Sequence, residues 1–167
     1  MRKLNFLKAI IDFICIINYL TVPILVMFLG FVVISSEPLG VPITINGIEV
    51  NVISIQTKVL LIFMTFAALL IVYCLFLFRN ILRLFQRVKI FDLEVIKSFH
   101  VIGVLLLISA FLAGVPSFVI RVLKKEVNLE IGVNPFVILF CLGLFFMVLS
   151  EVFIIAKKQK EENELTI

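Results

Sequence analysis

Residues 59–78 read VLLIFMTFAALLIVYCLFLF, twenty positions without one Asp, Glu, Lys or Arg. As an α-helix such a run is about 30 Å long, the thickness of the hydrocarbon core of a bilayer. A helix in a soluble core rarely needs that length without a charge. Three further windows repeat the pattern: Phe13–Ser36, Val101–Ile120 and Ile131–Ser150. The sequence therefore predicts an all-α membrane protein, a four-transmembrane-helix bundle forming one integral membrane domain over 1–167. Its spans fall near 10–35, 58–80, 98–123 and 134–156. Composition agrees, with 63% hydrophobic and 16% charged residues and a mean hydropathy of +1.27. Soluble domains sit near about 45–50% and 25%.

Outward from these windows, the short flanks set the orientation. One side holds Arg2, Lys3, Lys8, Arg79, Arg83, Arg87, Lys89, Lys97, Lys157, Lys158 and Lys160; the other holds Lys58, Arg121, Lys124 and Lys125. Basic flanks stay inside, so both termini are expected in the cytoplasm, with a basic loop at 79–97 and a tail at 157–167. Arg2, Lys3 and Lys8 before the first window also suit a signal peptide. That window is too long for a signal core and ends in no small-residue cleavage site, so it is read as a span.

The same asymmetry accounts for a pI near 9.1 as an insertion signal, and no direct contact with nucleic acid is expected. Cys15, Cys74 and Cys141 lie inside spans with no C-x-x-C pair, which reads as packing rather than disulfide or zinc chemistry. With His100 the single histidine, no metal spacing, P-loop, G-x-S-x-G or dinucleotide fingerprint is present. No enzymatic activity, metal or cofactor is expected.

The extracytoplasmic loop at 36–57 contains VPITINGIEVNV. Asn46-Gly47 is a strong hairpin signal, because both central residues of a type I′ turn need positive φ. That turn sets Ile45 opposite Ile48, Ile43 opposite Val50 and Val41 opposite Val52, with all six on one face. Residues 126–133, EVNLEIGV, alternate with the same period. A hairpin at 41–53 plus a strand at 126–133 would make a small three-stranded β-cap over the helix ends.

Within the spans, Pro23 and Pro116 each remove a backbone hydrogen bond and predict bends. Ser109, Ala110, Ala113, Gly114 and Ser117 form a small-residue face suited to close helix packing or to a path through the bend.

RNILRLFQRVKIFD, residues 79–92, carries a basic stripe. Arg79, Asn80, Arg83, Gln86 and Arg87 share one arc of a helix; Ile81, Leu84, Phe85 and Val88 share the opposite one. A turn near VKIFD then leads to a helix N-capped by Asp92. Three readings of the stripe stand together: contact with anionic lipid heads, pairing with acids of the same chain, or docking of a cytoplasmic protein. Asp12 and Glu151 lie deeper than they need to, at a depth similar to Arg79, Lys97 and His100. An inner-mouth polar cluster of Asp12, Arg79, His100 and Glu151 follows, either locking the bundle or handling ions.

The layout, the segment NILRLFQRVKIFDLEVIKSFHVIG and the ending KKQKEENELTI resemble the bacterial DUF2975 family of small membrane proteins. Its members show a hydrophobic-basic segment, a short turn with Phe (here Phe91), a helix ending in Ile-Gly (here Ile102-Gly103), and an acidic tail ending in Leu-Thr and an aliphatic residue. That tail corresponds here to Glu164, Leu165, Thr166 and Ile167. The turn departs from the family: a Gly-x-Pro-Phe-like sequence is common there, and this chain has Val88-Lys89-Ile90-Phe91. The resemblance implies a multi-pass protein of the bacterial plasma (inner) membrane. It also implies a partner, since members are often encoded beside a small helix-turn-helix transcription regulator. The expected function is thus a membrane partner or signal relay for such a regulator. Arg79, Arg83, Arg87 and Lys89, with Glu164, Leu165, Thr166 and Ile167, would make the contact with partner or lipid. The tail would join a partner's sheet edge or form an unstructured acidic end. The alternative is a small transporter using Asp12 and Glu151. Membrane lipids and a second copy of the chain complete the expected partners.

Overall fold

A computed structural model describes residues 2–35, 43–45, 48–50, 55–88, 90–123 and 134–165. Four helices dominate: α1 (Arg2–Ile34), α2 (Ile55–Gln86), α3 (Leu93–Leu123) and α4 (Pro135–Leu165). All four are long and apolar enough to cross a membrane, and this is the pattern of a multi-pass membrane protein. At 31 to 33 residues each reaches about 47–50 Å, so every helix outruns the hydrocarbon core.

Local chemistry fixes the ends. Asp92 caps α3, its Oδ1 accepting from the Glu94 amide at 3.3 Å. Asn134 caps α4, accepting from the Phe136 amide at 3.0 Å, with Pro135 at the first helical position, where no amide is needed. At the C-terminus of α1, Lys58 of α2 donates to the Val33 and Ser35 carbonyls at 2.9 and 2.8 Å. Both α1 and α3 continue through their prolines, Pro23 and Pro116.

Consecutive helices run antiparallel, and their contacts keep one register throughout. Between α2 and α3, Asn80 meets Glu94, Cys74 meets Ile102, and Leu60 packs with Ile120. Between α3 and α4, Ser150 bonds the Ile96 carbonyl at 3.2 Å and Gly103 faces Gly143. Each extensive helix contact joins neighbours in sequence, and among the described residues none of comparable extent closes α1 onto α4. The arrangement is therefore an up-down series in which α2, α3 and α4 share a core and α1 leans on α2. Within α1 only Ile11, Cys15 and Val32 are buried, while Phe13, Tyr19 and Met27 are exposed.

Hydrophobicity cannot drive helices together in lipid, so shape must. A Cβ on Gly103 would lie 2.8 Å from the Gly143 carbonyl and 2.9 Å from the Met147 amide nitrogen. The α3 and α4 backbones approach this closely because both positions are glycine. Nearer the ends of α2 and α4, phenylalanines fill the space: Phe99 lies 5.3 Å from Phe153 and 5.9 Å from Phe146, and Phe85 stacks on Phe153 at 6.2 Å. Of the predicted small-residue face, Ser109, Ala110 and Ser117 are buried, and Gly114 abuts the Phe136 ring.

Strands β1 (Ile43–Ile45) and β2 (Ile48–Val50) pair antiparallel, with Ile43 opposite Val50, Thr44 opposite Glu49 and Ile45 opposite Ile48. This is the register that the Asn46-Gly47 turn predicts. The turn itself, the outer arms of the 41–53 hairpin and the strand expected at 126–133 lie outside the described residues.

Candidate functional site

The basic stripe of α2 is where the chain's polar chemistry concentrates. From Arg79 to Gln86 the helix continues about 12 Å beyond its uncharged run. Its apolar arc is anchored: Ile81 and Leu84 are buried against Val95 and Phe99 of α3, and Leu82 against Ile11 and Cys15 of α1. Anchoring that arc determines where the polar arc points, and the polar residues divide into two groups.

The first group is engaged inside the chain. Arg79 donates through Nε to Asp12 of α1 as a half-buried ion pair. Gln86 accepts from Lys8 Nζ at 2.7 Å and donates to Asn5 Oδ1 at 2.8 Å. Asn80 donates to Glu94 of α3 at 2.8 Å. The Arg79 and Gln86 bonds form a polar clasp that binds the N-terminal end of α1 to the C-terminal end of α2, and the Asn80 bond ties α2 to α3. Each partner is more than a third or nearly a third exposed, so the Arg79–Asp12 pair alone contributes no more than about 1 kcal/mol in a watery setting. The second group, Arg83 and Arg87, is exposed and makes no hydrogen bond or ion pair among the described residues. Lys89 lies outside them.

The four-residue inner-mouth cluster forms only in half. Asp12 and Arg79 meet; His100 and Glu151 are both exposed and join neither them nor each other among the described residues. The physical reason is the aromatic core. Phe78, Phe99, Phe146 and Phe153 occupy the space between α2, α3 and α4 at this level, so polar groups on α3 and α4 face outward.

Beyond the cluster, the chain reverses between α2 and α3. The Arg87 and Val88 amides bond back to the Leu84 and Phe85 carbonyls at 3.0 and 3.1 Å, and Val88 adopts a φ of 60°. A glycine would take that conformation readily, whereas a β-branched residue is strained there. Val88 was expected on the apolar arc; it is exposed, because the helix ends before reaching it.

The acidic tail is helical through Leu165, not extended. Lys157, Lys158 and Lys160 lie 3.7, 3.9 and 3.6 Å from Glu161, Glu162 and Glu164, each four residues on. Such pairs support a helix by about 0.2–0.5 kcal/mol each. Lys160 also sits 6.0 Å above the Phe91 ring, against the turn. Glu164 is exposed, the Leu165 side chain is not described, and Thr166 and Ile167 lie outside the described residues.

Cys15 and Cys74 are buried and Cys141 is exposed, all as free thiols. Among the described residues no His, Cys, Asp or Glu grouping could hold a metal ion. Sequence reasoning missed the roles of Asn5, Gln86 and Gly143. Gln86 stood on the polar arc, but its partners lie 78 and 81 residues away, and no local pattern reports that.

A family model described as a protein of unknown function (DUF2975) matches residues 50–167, taking in α2, α3 and α4 and leaving α1 outside. No curated protein and no solved structure matches the chain.

Proposed function

The chain belongs to the DUF2975 family, and from that premise we propose that it is a membrane-anchored partner, or signal relay, for a small cytoplasmic helix-turn-helix regulator. In this reading it sits in the bacterial inner membrane with both termini in the cytoplasm. The hairpin and the 126–133 segment form a β-cap outside, and the 79–97 loop and the 157–167 tail form the docking face. One observation supports the reading above others: the stripe's remaining residues hold α1 and α3, while Arg83 and Arg87 stay exposed one turn apart. Bracing the neighbouring helices does not account for these two. Positive charge there suits an acidic patch on a protein partner, at the rim where such a partner arrives from water.

A small transporter using Asp12 and Glu151 has less support. Asp12 is committed to Arg79, and Glu151 stands apart from both.

The test is co-purification. The full-length chain is extracted in a mild detergent with a tagged helix-turn-helix protein encoded beside it. Retention of the regulator, lost in an Arg83→Glu, Arg87→Glu double variant and kept in Asp12→Asn, supports the docking face. Absence of the regulator from the wild-type extract, or its retention by the double variant, refutes it.

A further inference from the structure

A second feature involves neither Arg83 and Arg87 nor the 157–167 tail. Between α3 and α4 lies an open groove of about 310 Å³ lined by Ile96, Lys97, His100, Val101, Ser150 and Ile154. Its floor is dry. Ile96 is buried, and the buried Ser150 hydroxyl is spent on the Ile96 carbonyl at 3.2 Å, so no free donor or acceptor faces the groove from below. Val101 and Ile154 form apolar walls that are exposed. The polar groups of the site are the two on the rim, Lys97 and His100, one helical turn apart and both exposed.

The helix register fixes the depth of this groove. The Asn80–Glu94 and Ser150–Ile96 bonds bring the ends of the uncharged runs of α2 and α4, at Phe78 and Ser150, level with residues 94–96 of α3. Lys97 therefore sits at the edge of the hydrocarbon zone, and His100 lies about 4.5 Å deeper. A lysine at this position extends its ammonium up toward the headgroups.

Charge decides the occupant. Lys97 makes no ion pair among the described residues. Glu94, a turn before it, accepts from Asn80, and Glu151, beside Ser150, is exposed and unpaired with it. An apolar trough with one uncompensated cation at its membrane-surface end matches an amphiphile with an anionic head.

We propose that the α3–α4 groove binds one anionic phospholipid, its phosphate on Lys97, its glycerol ester region beside His100, and an acyl chain along Ile96, Val101 and Ile154.

The test uses the full chain in dodecyl maltoside, titrated with phosphatidylglycerol or phosphatidylcholine of identical chains and read by native mass spectrometry. Wild type is expected to bind one phosphatidylglycerol about five-fold or more tighter than phosphatidylcholine, the ratio that one basic residue at a charged surface supplies. Lys97→Gln abolishes that preference. Lys158→Gln, a lysine on the α4 extension, keeps it. Ile154→Trp fills the trough and loses both lipids, with helix content by circular dichroism unchanged in every variant. Excess inorganic phosphate does not displace the lipid. Equal binding of the two lipids by wild type, a preference that survives Lys97→Gln, binding unaffected by Ile154→Trp, or displacement by free phosphate would each overturn the proposal.

Discussion

Glycine to alanine at two places in this chain should move stability in opposite directions. At Gly30, a Cβ would meet nothing within 4 Å. The change there only removes backbone entropy from the unfolded chain and raises helix propensity, a gain of about 0.5–1 kcal/mol. At Gly103 the same methyl would lie 2.6 Å from Met147 Cγ, 2.8 Å from the Gly143 carbonyl oxygen and 2.9 Å from the Met147 amide nitrogen. The methionine tip can swing away, but two of the three atoms are α4 backbone, so the helices must separate by several tenths of an ångström. Overpacking of this kind costs about 1–3 kcal/mol. The propensity gain is common to both variants and cancels when they are compared. Gly103→Ala should therefore be less stable than Gly30→Ala by about 1–3 kcal/mol. Thermal unfolding in one detergent, followed by far-ultraviolet circular dichroism, measures the difference. Midpoints that place the two variants within about 0.5 kcal/mol would show that α3 and α4 do not approach at this point.

Three other outcomes follow from the same geometry. Val88→Gly should stabilise the protein by about 0.5–1 kcal/mol, since relief of a left-handed β-branched residue exceeds the entropy cost of glycine; a lower unfolding midpoint would contradict the φ of 60°. A double-mutant cycle of Asp12→Asn with Arg79→Gln should return a coupling of up to about 1 kcal/mol, and zero coupling would mean that the pair does not hold α1. Replacing Glu161, Glu162 and Glu164 together with lysine turns three attractions into repulsions. Amide hydrogen exchange over 157–165 should then speed up by roughly an order of magnitude, while residues 140–150 stay protected; unchanged exchange at the tail would remove the ion pairs as its support.

How much of this was legible beforehand depended on the range of the interaction. The four helices were, because an uncharged run of the 59–78 kind is a local property set by the solvent it requires. So were Asp92 as a cap and the pairing of Ile45 with Ile48, which depend on neighbours in sequence. The Arg79–Asp12 pair was within reach because both residues share a depth on adjacent helices. The failure over His100 and Glu151 is instructive. Depth alone placed them with Asp12, but depth says nothing about rotation around the helix, and the phenylalanines between α2, α3 and α4 decided that. Similarly, Gly103 drew notice only as half of an Ile-Gly pair. Its function needs Gly143, forty residues on, and only the packed helices bring the two together. The tail read as extended or unstructured because acid-rich ends commonly are; three lysine–glutamate pairs in register make it a helix instead.

The central claim is that one polar face of α2 is divided, with Arg79 clasped to α1 and Arg83 left open, and the proposed orientation puts that face on the cytoplasmic side. Membrane-impermeant maleimide labelling of Arg83→Cys and Arg79→Cys variants, built without Cys15, Cys74 and Cys141, tests it directly. In inverted vesicles the Arg83→Cys variant should label rapidly and the Arg79→Cys variant several-fold more slowly, with neither labelled in right-side-out vesicles. Labelling of the Arg83 position from the outer face, or equal rates at the two positions, would contradict the account.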